Sequence, residues 1–157
     1  MLKKYLLIAL VSMVPVVELR GAIPIAVGMG LDYWTSLTVA VIGNMLPVPF
    51  IYFFARKMLL WGADRKYIGK FFRVFLAKGE RGGQKLVERA GRGGLFVALM
   101  LFVGIPLPGT GAWTGTLAAS FLDMGIKSTV ASVCLGVIIA GIIMGLASVG
   151  VFGAIGL

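Results

Sequence analysis

The stretch MVPVVELRGAIPIAVGMG, residues 13–30, sets two opposite charges, Glu18 and Arg20, among apolar residues between Pro15 and Pro24. A charge at the centre of a bilayer costs roughly 2.5–3.5 kcal/mol on insertion scales, so two in one apolar run need a use. On a regular helix, residues two apart point about 200° apart and do not face each other. Pro15 and Pro24 remove amide donors and disfavour a regular helix, and Gly21 permits sharp turning. The expectation is an unwound hairpin tip at Gly21 and Pro24, where Glu18 and Arg20 meet each other or a second broken segment. Non-helical backbone at membrane depth is tolerated only where it is buried in protein or lines a wet cavity.

The rest of the chain makes the membrane the setting. Of its 157 residues, 59% are hydrophobic and 13% charged, against roughly 25% charged in soluble domains. Tyr33–Ala55, Leu95–Leu122 and Val130–Val151 hold no charge, and about 20 residues of helix cross a bilayer. The net charge of +9 is concentrated: Arg56 to Arg92 holds eleven Lys/Arg against Asp64, Glu80 and Glu88. A basic loop between apolar segments marks the cytoplasmic side, and no recognition motif accompanies the charge, which argues against nucleic acid. Cys134 stands alone in an apolar run and can form neither an internal disulfide nor a multi-cysteine metal site. With no histidine, proton chemistry falls to carboxylates. The sequence implies no metal and no cofactor. The N-terminus, MLKKYLLIALVSMVP, has the charge-then-apolar order of a signal peptide, but no A-x-A-type site follows, so it reads as the first membrane segment.

Four apolar blocks emerge. Block one, Tyr5–Leu31, is broken as above, and block three, Leu95–Leu122, is broken by GIPLPGTG at 104–111. The pieces either side of each break are about 10 to 13 residues, too short to span alone. Blocks two (Tyr33–Ala55) and four (Ser128–Leu157) read as ordinary spans. Gly21 and Ala22 stand over Gly111 and Ala112, and Asp32, Val39 and Ala40 over Asp123, Val130 and Ala131. The reading is therefore a single all-α integral membrane domain of two inverted repeats. Each repeat is a re-entrant helical hairpin followed by a transmembrane helix: repeat one at 5–55, a cytoplasmic linker at 56–93, repeat two at 94–157. Inverted repeats of this kind are common in transporters. With hairpins, Lys3 and Lys4 lie outside. Block one as a single broken span instead puts the N-terminus inside.

In RKYIGKFFRVFLAK, Ile68, Phe71, Phe72, Phe75 and Leu76 fall at helical spacing, with Lys66, Lys70, Arg73 and Ala77 on another face. This predicts an amphipathic helix over 65–78, lying on the inner surface and drawn to anionic lipid. GERGG (79–83) and GRGG (91–94) read as hinges, and the phosphate-cradling GxxxxGK[ST] is absent.

The segments VELRGAIPIAVGMG, ERAGRGG and GIPLPGTGAWTGTLAASFLDMG resemble the small multidrug export protein family, a compact relative of the DedA superfamily of bacterial membrane proteins. The resemblance covers roughly residues 13–150. It implies two re-entrant hairpins facing each other, transport, and a multi-pass place in the prokaryotic plasma (inner) membrane with loop 56–92 cytoplasmic. Relatives in the DedA group are associated with lipid-linked carriers such as undecaprenyl phosphate and with dependence on the proton-motive force. Glu18 is similar to that group's acidic residue in the first hairpin. The group also has an arginine beside the second proline motif; here that place holds Thr110, and the arginine is Arg20.

The candidate site is thus a polar pocket where two tips converge, at Gly21 and Pro24 and at Pro106, Pro108, Gly109 and Gly111. Arg20 binds an anionic head group, and Glu18 pairs with it or carries a coupling proton, since burial raises a carboxylate's pKa. Thr110, Trp113 and free backbone amides complete it. Asn44, in a segment kinked by Pro47 and Pro49, reads as an interhelical hydrogen bond or a ligand. Asp32 and Asp123 cap the spans that follow them or face interfacial water. GIIMG at 141–145 lets helices approach closely, within the monomer or in a homo-oligomer. Three functions fit: a transporter of a small or lipid-linked anion, proton-coupled; an exporter of cationic drugs; and a non-transporting scaffold pinned by a Glu18–Arg20 ion pair. No nucleophile–base pair or nucleotide motif points to an enzyme.

Overall fold

The computed structural model describes residues 1–67 and 69–155, and every regular element among them is a helix. Helix α1, Leu2–Met13, ends where Pro15 forces the preceding Val14 into an extended conformation (φ −72°, ψ 127°). The chain then turns through Val16 (φ 77°) and Glu18 (φ 50°), two non-glycine residues in the left-handed region, and α2 runs from Glu18 to Gly28. Helices of 12 and 11 residues are about 18 and 16 Å long, little more than half a bilayer's hydrocarbon core.

The first tip therefore lies at 14–17, and Gly21 and Pro24 stand inside α2. The expectation that they form the tip is corrected. Pro15 acts on the residue before it and stops α1. Pro24 only removes the amide that the Arg20 carbonyl would have accepted, a loss a helix clamped between neighbours absorbs. Gly21 is needed for space: a Cβ there would strike the Val17 side chain.

Gly30, at φ 66°, closes α2 with Leu31 N–H donating to Ala26 O, a glycine C-terminal stop. Asp32 opens α3, Tyr33–Met45, accepting from Thr35 N at 2.8 Å and Thr35 Oγ1 at 2.6 Å. Those two hydrogen bonds hold its carboxyl below the usual carboxylate range. Helix α3 continues into α4, Pro47–Ala63, through Leu46, which keeps helical dihedrals (φ −55°, ψ −46°), although Pro47 and Pro49 bring no amides to the preceding turn. Together they make one apolar stretch of 31 residues, Tyr33–Ala63. Helix α5, Gly69–Gly104, is broken at Gly91 (φ 71°, ψ 174°). Helix α6, Ala112–Phe121, has 10 residues, and α7 runs from Ile126 to Ile155. Tyr33–Ala63 and Ile126–Val151 are long and apolar enough to cross a membrane.

Three boundaries differ from the sequence reading. The basic linker does not begin at residue 56, because α4 carries Arg56 and Lys57 on to Ala63. The surface helix begins at Gly69 rather than 65, after a turn in which the Arg65 guanidinium lies 4.1 Å from the Trp61 ring centre. GERGG is helical and only Gly91 breaks the backbone. Of the expected aromatic face, Phe71 is exposed, while Ile68 and the side chains of Phe72, Phe75 and Leu76 lie outside the described residues.

Packing crosses the chain. Helix α1 lies on α3 and α5 on α7, while the short α2 packs on α7 and the short α6 on α4. The interior is built on small or branched residues, including Ala22, Ala40, Ala112, Val103 and Val133. Phe50, Phe53 and Trp61 stand out from α4, as expected of a surface bathed in lipid. Gly141 lies under Leu37 and Leu19, and Gly145 under the Tyr33 ring, so the GIIMG face packs within the monomer. At Gly136 a Cβ would sit 2.7 Å from both Met100 O and Val103 Cβ. Gly136→Ala should force α5 from α7 at a cost of about 1–3 kcal/mol, read as a lowered midpoint in detergent unfolding.

Candidate functional site

Glu18 is 5% exposed. Its carboxylate accepts from Trp113 N–H at 3.0 Å and Ala112 N–H at 3.2 Å, the first amides of α6. Helix N-termini leave their first N–H groups unpaired and carry a partial positive charge, so the buried anion has a matched partner without a cation. Gly111 makes the approach possible: a Cβ there would lie 2.7 Å from the Glu18 Cδ. The left-handed backbone at Glu18 costs of order 1 kcal/mol and persists where surroundings over-determine it.

Arg20 does the converse. Its guanidinium donates to Leu107 O at 2.7 Å, Thr110 Oγ1 at 2.8 Å, Val103 O at 3.2 Å, Ile105 O at 3.3 Å and to Thr110 O. These acceptors are the end of α5 and the loop that follows, where the helix dipole is negative. Trp113 Nε1 adds a bond to Met13 O at 3.3 Å, at the end of α1. The first break thus grips both ends of the second: carboxylate on the start of α6, guanidinium on the end of α5. Glu18 and Arg20 do not pair with each other; among the described residues the ion pair is Arg56–Asp123. The scaffold reading's direct Glu18–Arg20 ion pair is corrected accordingly.

The other expected residues divide. Pro106, Pro108, Gly109 and Gly111 lie in the α5–α6 connection, with Gly109 at φ 81°. Thr110 serves that loop, its hydroxyl within 2.9 Å of the Ile105 and Leu107 carbonyls. Asp123 does not cap α7. Gly125 supplies the first carbonyl to Thr129 N–H, and Asp123, at φ 56°, turns out to Arg56. That pair, 67 residues apart in sequence, left no local signal. Neither did Tyr52, whose hydroxyl donates to Met124 O. Asn44 is buried, and its Oδ1 has no hydrogen-bond partner. Among the described residues no group of three His, Cys, Asp or Glu could hold a metal.

Beside the clasp, Trp113 lines an apolar groove of about 390 Å³ with Phe54, Met58, Phe71, Leu117 and Phe121. Among the described residues no charged side chain lines it, and its volume suits a small organic molecule.

The family described as "Putative small multi-drug export protein" matches residues 18–143, from the clasp carboxylate through most of α7. No curated protein and no solved structure matches the chain. With that match over most of its length and two helices fit to cross a bilayer, the chain belongs to the small multidrug export protein family of membrane proteins.

Proposed function

We propose that this protein exports small amphipathic organic molecules across a prokaryotic plasma membrane, with two re-entrant hairpins, α1–α2 and α5–α6, as its working parts. The observation that carries the reading is the clasp, with Glu18 on the first amides of α6 and Arg20 on the carbonyls at the end of α5, since transporters built on discontinuous helices use such helix ends. The inverted repeat is supported by the crossed packing, in which each short helix, α2 or α6, lies on the long helix of the other half. The aromatic groove beside Trp113 receives the lipophilic part of the substrate. Glu18, one residue contact away, takes the coupling proton. Protonation removes its negative charge from the α6 amides and loosens the clasp, so transport and proton flow share one latch. The first half of α5, with Lys70, Arg73, Arg81, Lys85 and Arg89 exposed, rests on anionic lipid at the cytoplasmic face, each basic residue contributing about 1 kcal/mol.

One observation favours a second substrate class. The Arg20 guanidinium is only half buried and its acceptors are mostly loop carbonyls, which a phosphate can displace. That arrangement fits the DedA-like reading of a lipid-linked anion.

Proteoliposomes separate the readings. A cationic lipophilic dye and a fluorescent polyprenyl-phosphate analogue are followed with and without a pH gradient. Gradient-dependent dye movement should fall at least tenfold in Glu18→Gln; full activity in that variant defeats the proposal. Phosphate movement that fails in Arg20→Ala selects the anion reading. Movement of neither probe returns the scaffold reading.

A further inference from the structure

We infer that the end of α1 and the α3–α4 junction form a binding site for a small monovalent cation. Asn44 is 2% exposed, and its Oδ1 is a buried acceptor with no hydrogen-bond partner. Such an orphan is costly in water-free surroundings. It stands at the middle of the long span Tyr33–Ala63, on the face turned inward with Gly43 and Val48.

Two backbone carbonyls beside it along the chain are short of donors. The amides that Gly43 O and Met45 O would use in a continuous helix belong to Pro47 and Pro49, which have none. Gly43 packs directly on α1: a Cβ there would be 2.5 Å from Ala9 O and would strike Ser12 Oγ. Ser12 is fully buried and gives its hydroxyl hydrogen to Ala9 O at 2.8 Å, leaving its lone pairs free. Ser12 lies in the last turn of α1, a helix end that carries a partial negative charge of roughly half an elementary charge.

The set consists of an amide oxygen, a hydroxyl and backbone carbonyls, with acceptors in excess. A water has two hydrogens and leaves the remaining oxygens unpaired. A hard cation is coordinated by all of them, in the way unwound carbonyls and half-helix C-termini hold ions within membranes. One positive charge matches the helix end. A divalent ion would need a carboxylate, and of those flanking the site along the chain Glu18 is committed to α6 and Asp32 to Thr35. The site rests on these buried oxygens alone and holds whatever the substrate is.

Thermal unfolding of the purified full chain, in sodium chloride against choline chloride at equal ionic strength, tests it. The midpoint should rise with the logarithm of sodium concentration in the wild type. Asn44→Leu, which fills the space without an oxygen, should stay folded and lose that rise. Pro47→Ala returns an amide to Gly43 O and should weaken the apparent sodium affinity about tenfold. Asn44→Asp keeps an oxygen, adds a charge, and should tighten the affinity at least tenfold, which also covers a failure of Asn44→Leu to fold. Identical midpoints in the two salts, or an unchanged sodium dependence in all three variants, overturn the inference.

Discussion

Exchanging the two charges, Glu18→Arg with Arg20→Glu, gives a chain that does not reach a stable folded state. An ion pair between neighbours would survive the exchange, because each charge would still meet its opposite. Here each charge meets backbone instead. The exchanged glutamate would face the carbonyls of Val103, Ile105, Leu107 and Thr110, and the exchanged arginine the amides of Ala112 and Trp113. Acceptor meets acceptor and donor meets donor, each against the dipole of a helix end. A buried group left unpaired costs about 1–3 kcal/mol, and more than two such groups are affected. The total is on the order of 5 kcal/mol or more, comparable with the whole stability of a typical domain. The single change Glu18→Gln, which keeps one acceptor oxygen, should cost only about 1–3 kcal/mol and leave the protein folded. Recovery of monodisperse protein, with unfolding midpoints in mixed micelles for each variant, checks this. An exchanged variant as stable as the wild type would show that the charges pair with each other.

Gly111→Ala should cost nearly as much as removing the Glu18 carboxylate itself, about 2–4 kcal/mol. The added methyl would occupy the place of the carboxylate, whose Cδ lies 2.7 Å from it. Glu18 is held by the crossed packing of α2 on α7 and has nowhere to retreat but away from the α6 amides. The two substitutions therefore break the same pair of hydrogen bonds, and their effects should not add. Glu18→Ala combined with Gly111→Ala is expected within about 0.5 kcal/mol of the worse single variant, where independent sites would sum. A double-mutant cycle by detergent unfolding gives the answer, and additivity would separate the glycine from the clasp. The same substitution should abolish export, since the latch is lost.

Glu18 and Arg20 were legible as site residues because charge in an apolar run is expensive wherever the run ends up. The second break was legible because GIPLPGTG concentrates helix breakers in eight residues. The first tip was misplaced by about one turn or more, because Pro15 and Pro24 look alike in sequence. Only the first lies where its effect on the preceding residue ends a helix; the second is carried within α2 by neighbours that a linear reading does not see. Asp123 resembles Asp32 in sequence and differs in role, because Arg56 of α4 reaches it from another part of the chain.

Hydrophobicity and spacing along the chain were enough for the membrane setting, the helical class, the two broken segments and the basic stretch between the halves, since each follows from local composition and the fixed rise of a helix. Which groups the two charges would satisfy was open until the helices packed. The unpaired amides of α6 and carbonyls of α5 exist only once those helices have ends. They lie about 90 residues away from Glu18 and Arg20 in sequence, and the crossed packing of short helices on long ones brings them within hydrogen-bonding distance.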